Sequence, residues 1–362
     1  MRVLMISLDR GLLGAAGSGD VAERHKKYAS LAGALDIIVF ASPKYSQLTL
    51  APNLRVFPTR SSKFAHFHRA AELTKKLLKE NQYDLLVTQE FTAPAGLKIK
   101  KFLDIPWIIN IHSMFFSTQW LGFNLIYWYL FFLMKKSIRS ADGFRVTNDA
   151  IRKKLTDWGI AKPILVQPTP VNIEKFKIES GKFKVENQNP IVLYVGRLEP
   201  EKNVSLLIRA FKKLKDEAQL QIVGKGSQEK ELRRLAADDL RVEFFGAKSS
   251  DELPEIYRSA DIFVLPSNSE SFGKVLIEAG AAGCALVATE TAGAKSILEN
   301  DEAGILVPVG DTAALTRVLQ NLVGKKFERE YWGQRAREIS KKYNAETATQ
   351  RIIDLWKEVA AK

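Results

Sequence analysis

A chain of 362 residues is too long for one typical core, so its length predicts about two domains. Hydrophobic residues make up 46% of the chain and charged residues 26%, which is typical of a globular protein. The single cysteine, Cys284, excludes an internal disulfide and a cysteine zinc site, and it favours a reducing compartment.

The net charge of +13 is concentrated in one half of the chain. Residues 1–180 contain 26 Lys and Arg against 14 Asp and Glu, whereas the remainder holds 28 against 27. An excess of this kind attracts nucleic acid, acidic lipid headgroups or anionic substrates. No recognised nucleic-acid-binding motif accompanies the charge, so we expect no nucleic-acid partner.

Short apolar runs alternate with amphipathic stretches in the first half. The run MRVLMISLDRG ends in charge too soon for a signal peptide, so we expect no export signal. Runs rich in Val, Ile and Leu are typical of buried parallel strands, and the stretches between them of helices. The predicted strands are Val3–Leu8, Ile37–Ala41, Leu85–Thr88 and Trp107–Ile111, and the predicted helices are Val21–Leu35 and Ala65–Glu80.

The segment from Ile105 to Met134 contains no Asp, Glu, Lys or Arg, and its second part, Trp120–Met134, is rich in aromatic residues. Polar residues and Gly122 interrupt it, which leaves about 15 apolar residues where a membrane span needs about 20. The segment therefore predicts either a core helix or a helix at a membrane interface. Aromatic residues beside Lys135 and Lys136 favour the interface.

The second half repeats the alternation of strands and helices. Its predicted strands are Ile191–Val195, Leu220–Val223, Val242–Phe244, Ile262–Leu265 and Ala285–Ala288, and its predicted helices are Val204–Leu214, Gln228–Ala236, Asp251–Ser259, Lys274–Ala282 and Thr312–Leu322. The pattern predicts an α/β protein with two doubly wound domains, whose ligands lie beyond the carboxyl ends of the strands. We expect an N-terminal domain at 1–172, a second domain at 173–345 and a final helix, 346–362, that packs back on the first domain.

The strongest chemical motif is ESFGKVLIE, which runs from Glu270 to Glu278 after a predicted strand. Gly273 lets a ligand approach the backbone, and the first turn of the following helix offers free N–H groups to a phosphate. Glu270 and Glu278 are two helical turns apart and can accept hydrogen bonds from sugar hydroxyls. The alternative is that Glu270 only favours the helix start and that Glu278 is an exposed helix acid.

A second motif, GRLEPEKN, begins at Gly196 directly after another strand. Arg197 and Lys202 place two cations beside a helix N-terminus, which suits a diphosphate. The alternative is a surface pair neutralised by Glu199 and Glu201.

These two motifs, with ADIFVLPS before and AAGCALVAT after the second, resemble glycosyltransferase family 4, most strongly over residues 190–322. The resemblance implies a GT-B fold, with two Rossmann-like domains that face each other across a cleft. It implies transfer of a sugar from a nucleotide diphosphate, with retention of the anomeric configuration, no metal and no cofactor.

The family pattern also implies the roles of single residues. Arg197 and Lys202 hold the donor diphosphate, Glu270 meets the donor sugar and Glu278 the ribose. The pattern places the backbone of Phe272, Gly273 and Lys274 at the sugar phosphate, and the loop with Gly224 and Gly226 near the base. It also implies that His112 faces the sugar and is catalytic together with Glu270. Gly19 would lie in a glycine-rich loop near the diphosphate.

The chain departs from the family pattern in three places: the segment Thr169-Pro170-Val171-Asn172 after the linker, Ser296 and Ala285. The Gly17-x-Gly19-x-x-Ala22 run, with Asp36 further on, also meets a loose dinucleotide fingerprint, but it lies too far after the first strand. A nicotinamide-dependent oxidoreductase and a catalytically silent membrane-binding or partner-binding module are therefore the alternatives.

The leading hypothesis is a cytoplasmic glycosyltransferase. We expect a UDP- or GDP-linked donor and a glycan or lipid-linked acceptor. We also expect the basic first domain to attach peripherally to the inner face of an anionic membrane.

Overall fold

The computed structural model describes residues 1–14, 20–63, 65–116, 125–177, 188–215, 217–299 and 301–362. The chain divides into two compact units. The first unit is Met1–Pro168 with Glu346–Lys362, and the second unit is Thr169–Ala345. Residues 169–172, which the sequence placed in the first domain, belong to the second unit, where Val171 is buried in the core.

The described strands of the first unit form one sheet of eight in the order β3-β4-β2-β1-β5-β6-β7-β8. All neighbours pair in parallel except β3 and β4. The strands are β1 (Arg2–Ser7), β2 (Ala34–Val39), β3 (Leu48–Ala51), β4 (Leu54–Pro58), β5 (Leu85–Gln89), β6 (Trp107–Ile111), β7 (Gly143–Val146) and β8 (Ile164–Val166).

Helices cover both faces of this sheet. They are α1 (Val21–Ala32), α2 (His66–Leu77), α3 (Ala93–Ile99), α4 (Leu125–Ser140), α5 (Asp149–Asp157) and, from the chain's end, α13 (Ala345–Ala360). Trp356 and Val359 of α13 are buried in one cluster with Val3 and Met5 of β1. The final helix therefore contributes to the core of the first unit.

The first predicted helix, Val21–Leu35, is too long. Gly33 has a φ of 113°, a conformation that glycine adopts more readily than other residues, and it ends α1 after Ala32. Strand β2 then begins at Ala34, before the predicted start at Ile37. The amphipathic pattern of the sequence continues past the end of α1, but the backbone leaves the helix at Gly33.

The described strands of the second unit form a parallel sheet of six in the order β11-β10-β9-β12-β13-β14. They are β9 (Ile191–Val195), β10 (Gln219–Val223), β11 (Val242–Gly246), β12 (Ile262–Leu265), β13 (Ala285–Thr289) and β14 (Ile305–Val307). The flanking helices are α6 (Val204–Phe211), α7 (Glu229–Ala236), α8 (Leu253–Ser259), α9 (Lys274–Ala281), α10 (Ala292–Leu298), α11 (Thr312–Gly324) and α12 (Lys326–Lys341).

Alternate residues of these strands point to opposite faces of the sheet, and both faces are packed. Val192 and Tyr194 lie in one buried cluster, and Leu193 and Val195 in another. The two doubly wound units confirm the predicted α/β fold class.

Candidate functional site

The loops after β9 and β12 lie where the strand order of the second sheet reverses. Strand β9 pairs with β10 on one side and with β12 on the other. The chain proceeds outward from β9 to β11 and then returns to β12. Loops that leave adjacent strands in opposite directions open a crevice at the carboxyl edge, which is the usual ligand site of such sheets.

The structure brings together two predicted site residues from these loops. Lys202 lies at the end of a 3-10 helix, Pro200–Lys202, and its Nζ is 2.6 Å from Oε2 of Glu270. Both side chains are largely buried, with 17% and 16% of their surfaces exposed. Glu270 is therefore not merely an acid that favours a helix start, because it forms an ion pair with a residue 68 positions away.

Arg197 lies on the same loop as Lys202 but points elsewhere. Its Nη2 is 2.8 Å from Oε1 of Glu201, and 68% of its side chain is exposed. An exposed ion pair of this kind contributes little to stability, so a ligand anion can compete for the guanidinium.

The loop from Glu270 to Gly273 is held against the start of α10. The Gly293 N–H donates to the carbonyl oxygen of Glu270 at 2.9 Å, and a Cβ at Gly293 would lie 2.5 Å from the backbone nitrogen of Phe272. Gly273 takes a φ of 85° and leads into α9 at Lys274. The first turn of α9 therefore follows directly after the loop that carries Glu270, as the motif predicted.

Glu278 lies in the interior of α9 rather than on an exposed face. Only 6% of the residue is exposed, which excludes the alternative of a solvent-exposed acid. Tyr257 donates its hydroxyl to Oε2 of Glu278 at 2.9 Å, and Nζ of Lys274 lies 3.3 Å from Oε1. Burial, and then the carboxylate, raise the pKa of Tyr257 well above its usual value, so the phenol remains a hydrogen-bond donor.

Gly224 and Gly226 allow the loop after β10 to lie directly on the loop after β9. A Cβ at Gly224 would be 1.8 Å from the carbonyl oxygen of Gly196, and one at Gly226 would be 2.3 Å from that of Leu198. The N–H of Leu198 also donates to the carbonyl of Lys225 at 3.0 Å. The two glycines therefore support the loop that carries the cations, whatever they contribute near a base.

His112 follows β6 at the carboxyl edge of the first unit's sheet. Its backbone N–H donates to Oε1 of Glu90 at 2.8 Å. Burial, and then the charges of Arg145 and Arg24, lower the pKa of His112 to about 3. The imidazole is therefore neutral near pH 7 and can act through hydrogen bonds rather than as a cation.

Gly19, the other predicted residue of this edge, lies outside the described residues. Asp36, which the dinucleotide fingerprint would place on a ribose, lies on β2 and is buried. Its carboxylate forms ion pairs with Arg55 at 2.7 Å and Arg2 at 3.2 Å, and it accepts a hydrogen bond from Tyr83 at 2.6 Å. The carboxylate is committed within the fold, which argues against the oxidoreductase alternative.

Comparison with known proteins identifies the family. Residues 175–339 match the model for glycosyl transferases group 1, and residues 30–175 match that for glycosyltransferase family 4. A phosphatidyl-myo-inositol mannosyltransferase of Mycolicibacterium smegmatis is 33% identical over 293 residues, which cover 79% of this chain and 74% of that protein. The chain belongs to glycosyltransferase family 4.

A second relative is the sulfoquinovosyl transferase SQD2 of Arabidopsis thaliana, with 30% identity over 275 residues. That alignment covers 71% of this chain and 52% of the plant protein. The chain spans about half the length of the first curated relatives that it matches.

The similarity of this chain to solved structures of other proteins shows that it has the GT-B fold. Sucrose-phosphate synthase from Thermosynechococcus elongatus has a TM-score of 0.87 at 21% identity, covering 100% of this chain and 99% of that one. Anabaena HepE in complex with UDP and glucose has a TM-score of 0.77 at 17% identity, and 98% of each chain is covered.

Three residues of the candidate site were not predicted from the sequence: Glu90, Tyr257 and Gly293. Each acts through a partner distant in the chain, namely the backbone of His112, the carboxylate of Glu278 and the backbone of Phe272. Glu90 directly follows a strand end, which was the one available signal.

In the part of the chain that the structure describes, no helix is long and apolar enough to cross a membrane.

Proposed function

We propose that the chain is a retaining glycosyltransferase that takes a sugar from a nucleotide diphosphate bound by its second unit. The observation that carries the proposal is the ion pair between Lys202 and Glu270, formed at the reversal of strand order. HepE, which shares the fold, was solved with UDP and glucose, which supports a nucleotide-sugar donor.

The chemistry requires two kinds of group, and the second unit holds both. Breaking the bond between sugar and phosphate leaves a diphosphate anion and develops positive charge at the anomeric carbon. Lys202 and Arg197 can stabilise the anion. A diphosphate that attracts Lys202 would release the carboxylate of Glu270, which could then accept hydrogen bonds from the sugar hydroxyls.

A donor panel tests this function. The full chain is incubated with UDP- and GDP-linked hexoses, and release of nucleoside diphosphate is measured with and without candidate glycan and lipid acceptors. We expect turnover with at least one donor and, by NMR of the product, a retained anomeric configuration. Binding of UDP without any turnover would instead indicate the silent binding module.

We infer that the diphosphate is neutralised by protein cations without a metal cofactor. Arg197 and Lys202 lie on one loop, and the N-terminal turn of α9, which is the positive end of that helix's dipole, follows the loop that carries Glu270. Turnover is therefore expected to be unchanged when EDTA is added to protein in metal-free buffer. A loss of turnover that Mg²⁺ or Mn²⁺ restores would contradict this prediction.

We also propose that the first unit attaches to an anionic lipid surface through α4, as one expects of an enzyme with a lipid-linked acceptor. Leu125, Tyr129 and Phe132 are 83%, 63% and 61% exposed. They are spaced four and three residues apart and so lie on one face of the helix. The same face continues to Lys136 and Arg139, which are exposed too.

The charge around this face favours acidic lipid over a protein partner. Helix α4 contains no acidic residue, and its apolar turns are followed by the cations. An apolar face that ends in lysine and arginine matches the acyl boundary and the anionic headgroups of a cytoplasmic leaflet. The first turns of α4 do not fit the alternative of a core helix, because residues 125–129 are all exposed and the first fully buried residue of the helix is Met134.

Replacing Phe132 by Ser is expected to weaken partition onto vesicles with acidic lipid by about tenfold, because the variant loses the burial of most of one aromatic side chain. The matched control is Phe327→Ser on α12 of the second unit, where the ring is 75% exposed and a loss of binding is not expected. The measurement is co-sedimentation at low and high salt. Equal vesicle binding by both variants, or binding that does not depend on salt or on acidic lipid, would contradict the proposal.

A further inference from the structure

Arg145 is a buried cation in the first unit that forms no ion pair with a described residue. It lies on β7 and is 4% exposed. Its Nε donates to the carbonyl oxygen of Gln167 at 2.8 Å, whereas its Nη2 has no hydrogen-bond partner among the described residues. A buried guanidinium without a carboxylate is costly, so this residue calls for an explanation.

Other buried polar atoms with unmet hydrogen bonds surround Arg145. Asn110 is its partner in register on β6. Burial lowers the pKa of Arg145, and the nearby Tyr28 phenol opposes that shift. The rings of His25 and Tyr28 are 5.3 Å apart, and those of Tyr28 and Trp356 are 5.7 Å apart. Besides Arg145 Nη2, the unpartnered buried atoms of these neighbouring side chains are His25 Nε2, the Tyr28 hydroxyl, Asn110 Oδ1, Gln167 Oε1 and Trp356 Nε1.

Such a concentration of unmet hydrogen-bonding capacity is unusual, because nearly all buried polar atoms in proteins have partners. Several of these groups are donors: the Arg145 guanidinium, the Tyr28 hydroxyl and the Trp356 indole. The amides of Asn110 and Gln167 can also turn their NH₂ groups inward. The cluster is therefore equipped to bind an acceptor-rich anion.

A second guanidinium adds to the positive charge. The Arg24 side chain is 17% exposed and pairs with Asp20 at 3.0 Å. Burial dominates the low pKa of His25 and of His112, about 3 each, and the charges of both Arg24 and Arg145 contribute at both rings. Both arginines therefore act on the same small region at the carboxyl edge of β6 and β7.

The carboxyl group of Glu90 also lies at this edge of the sheet. Glu90 accepts the backbone N–H of His112, and burial raises its pKa. It forms no ion pair with either arginine in the described structure. Among the described residues, Asp20 pairs with Arg24, and no carboxylate forms an ion pair with Arg145.

We propose that Arg24 and Arg145 form a subsite for a phosphoryl group in the first unit, beside His112. Arg24, which is partly exposed, would contact the phosphoryl oxygens directly, and Arg145 would supply the buried charge behind it. A guanidinium matches the geometry of a phosphate better than an ammonium does. The proposal rests on the proposed function, because the phosphoryl group would belong to a phosphorylated acceptor of the transferred sugar.

The test measures phosphate binding by calorimetry. Inorganic phosphate and glycerol 3-phosphate are titrated into the full chain in a Lys202→Met background, which removes a second-unit cation that also attracts phosphate. Arg24→Met is expected to weaken binding of phosphate by about tenfold or more, the usual loss for a hydrogen bond to a charged group. Arg24→Lys should retain part of the affinity, and the control Arg351→Met, an exposed position on α13, should retain all of it.

A further titration tests whether the subsite is specific for a phosphorylated acceptor. UDP is titrated into protein that keeps Lys202, with and without the Arg24→Met substitution. Weakened UDP binding would contradict the assignment to a phosphorylated acceptor. Unchanged UDP binding with weakened glycerol 3-phosphate binding assigns it to a phosphorylated acceptor.

Arg145→Met gives an independent result if it folds, namely loss of phosphate binding with little change at Arg351→Met. If it does not fold, the Arg24 variants decide the question alone. The proposal is overturned if the parent protein does not bind phosphate, or if the Arg24 variants and the control bind phosphate, glycerol 3-phosphate and UDP alike. Absence of sugar transfer, with binding that still depends on Arg24, would count against the proposed function and leave the subsite standing.

Discussion

Lys202→Met is expected to lower kcat by about two to three orders of magnitude, the usual cost of removing one group that stabilises developing negative charge. The substitution removes a cation from the loop after β9 and leaves the carboxylate of Glu270, 2.6 Å away, without its partner. Turnover is measured as release of nucleoside diphosphate from the donor found in the panel.

Glu270→Gln separates charge from shape at the same place. The amide can still accept hydrogen bonds from sugar hydroxyls, but it has no charge to oppose positive charge at the anomeric carbon. We expect a fall in kcat larger than any change in KM, because the lost interaction is strongest in the transition state.

Lys248→Met is the matched control for the lysine. Nζ of Lys248 lies 3.0 Å from Glu252 in an exposed ion pair of the same unit, so its loss should leave both kcat and the thermal midpoint nearly unchanged. Wild-type kcat in the Lys202 variant, at saturating donor, would show that the ion pair is structural and would remove the main support for the proposed function.

Lys202 and Glu270 were each predicted as site residues because both follow a predicted strand, whereas the ion pair between them was not predicted. Strands such as Ile191–Val195 and Ile262–Leu265 are continuous apolar runs, because both faces of a parallel sheet are packed. Once the strands are recognised, the polar residues that follow them must gather at one edge of the sheet. The distance between the two side chains, however, depends on β9 and β12 being neighbours, which strand order alone decides.

The residues that sequence reasoning missed depend on contacts between distant segments. Nothing in the spacing of Tyr257 and Glu278 shows that a phenol from α8 will reach a carboxylate on α9. His112 was recognisable as a residue after a strand, but its low pKa comes from burial and from arginines on α1 and β7. Periodicity also extended α1 past Gly33, because the hydrophobic pattern does not record a positive φ.

Gly224→Ala is expected to destabilise the second unit by about 3 kcal/mol, through overpacking and an unfavourable backbone conformation together. The residue has a φ of 144°, and a Cβ there would be 1.8 Å from the carbonyl oxygen of Gly196. That oxygen belongs to the backbone and not to a flexible side chain, so a backbone segment has to move. The measurement is the free energy of unfolding by urea, together with the Kd for UDP.

The control for this substitution is Gly310→Ala in the same unit. Gly310 has a φ of 80°, but a Cβ there would meet no atom within 4 Å, so only the backbone cost of about 1 kcal/mol remains. The additional loss at Gly224 would measure the contact between the two loops. Because the loop from Gly196 also carries Arg197 and Lys202, Gly224→Ala should weaken UDP binding as well, whereas Gly310→Ala should not. Equal stability of the two variants would mean that the loops separate without cost, and the glycines would then have to act on the ligand itself.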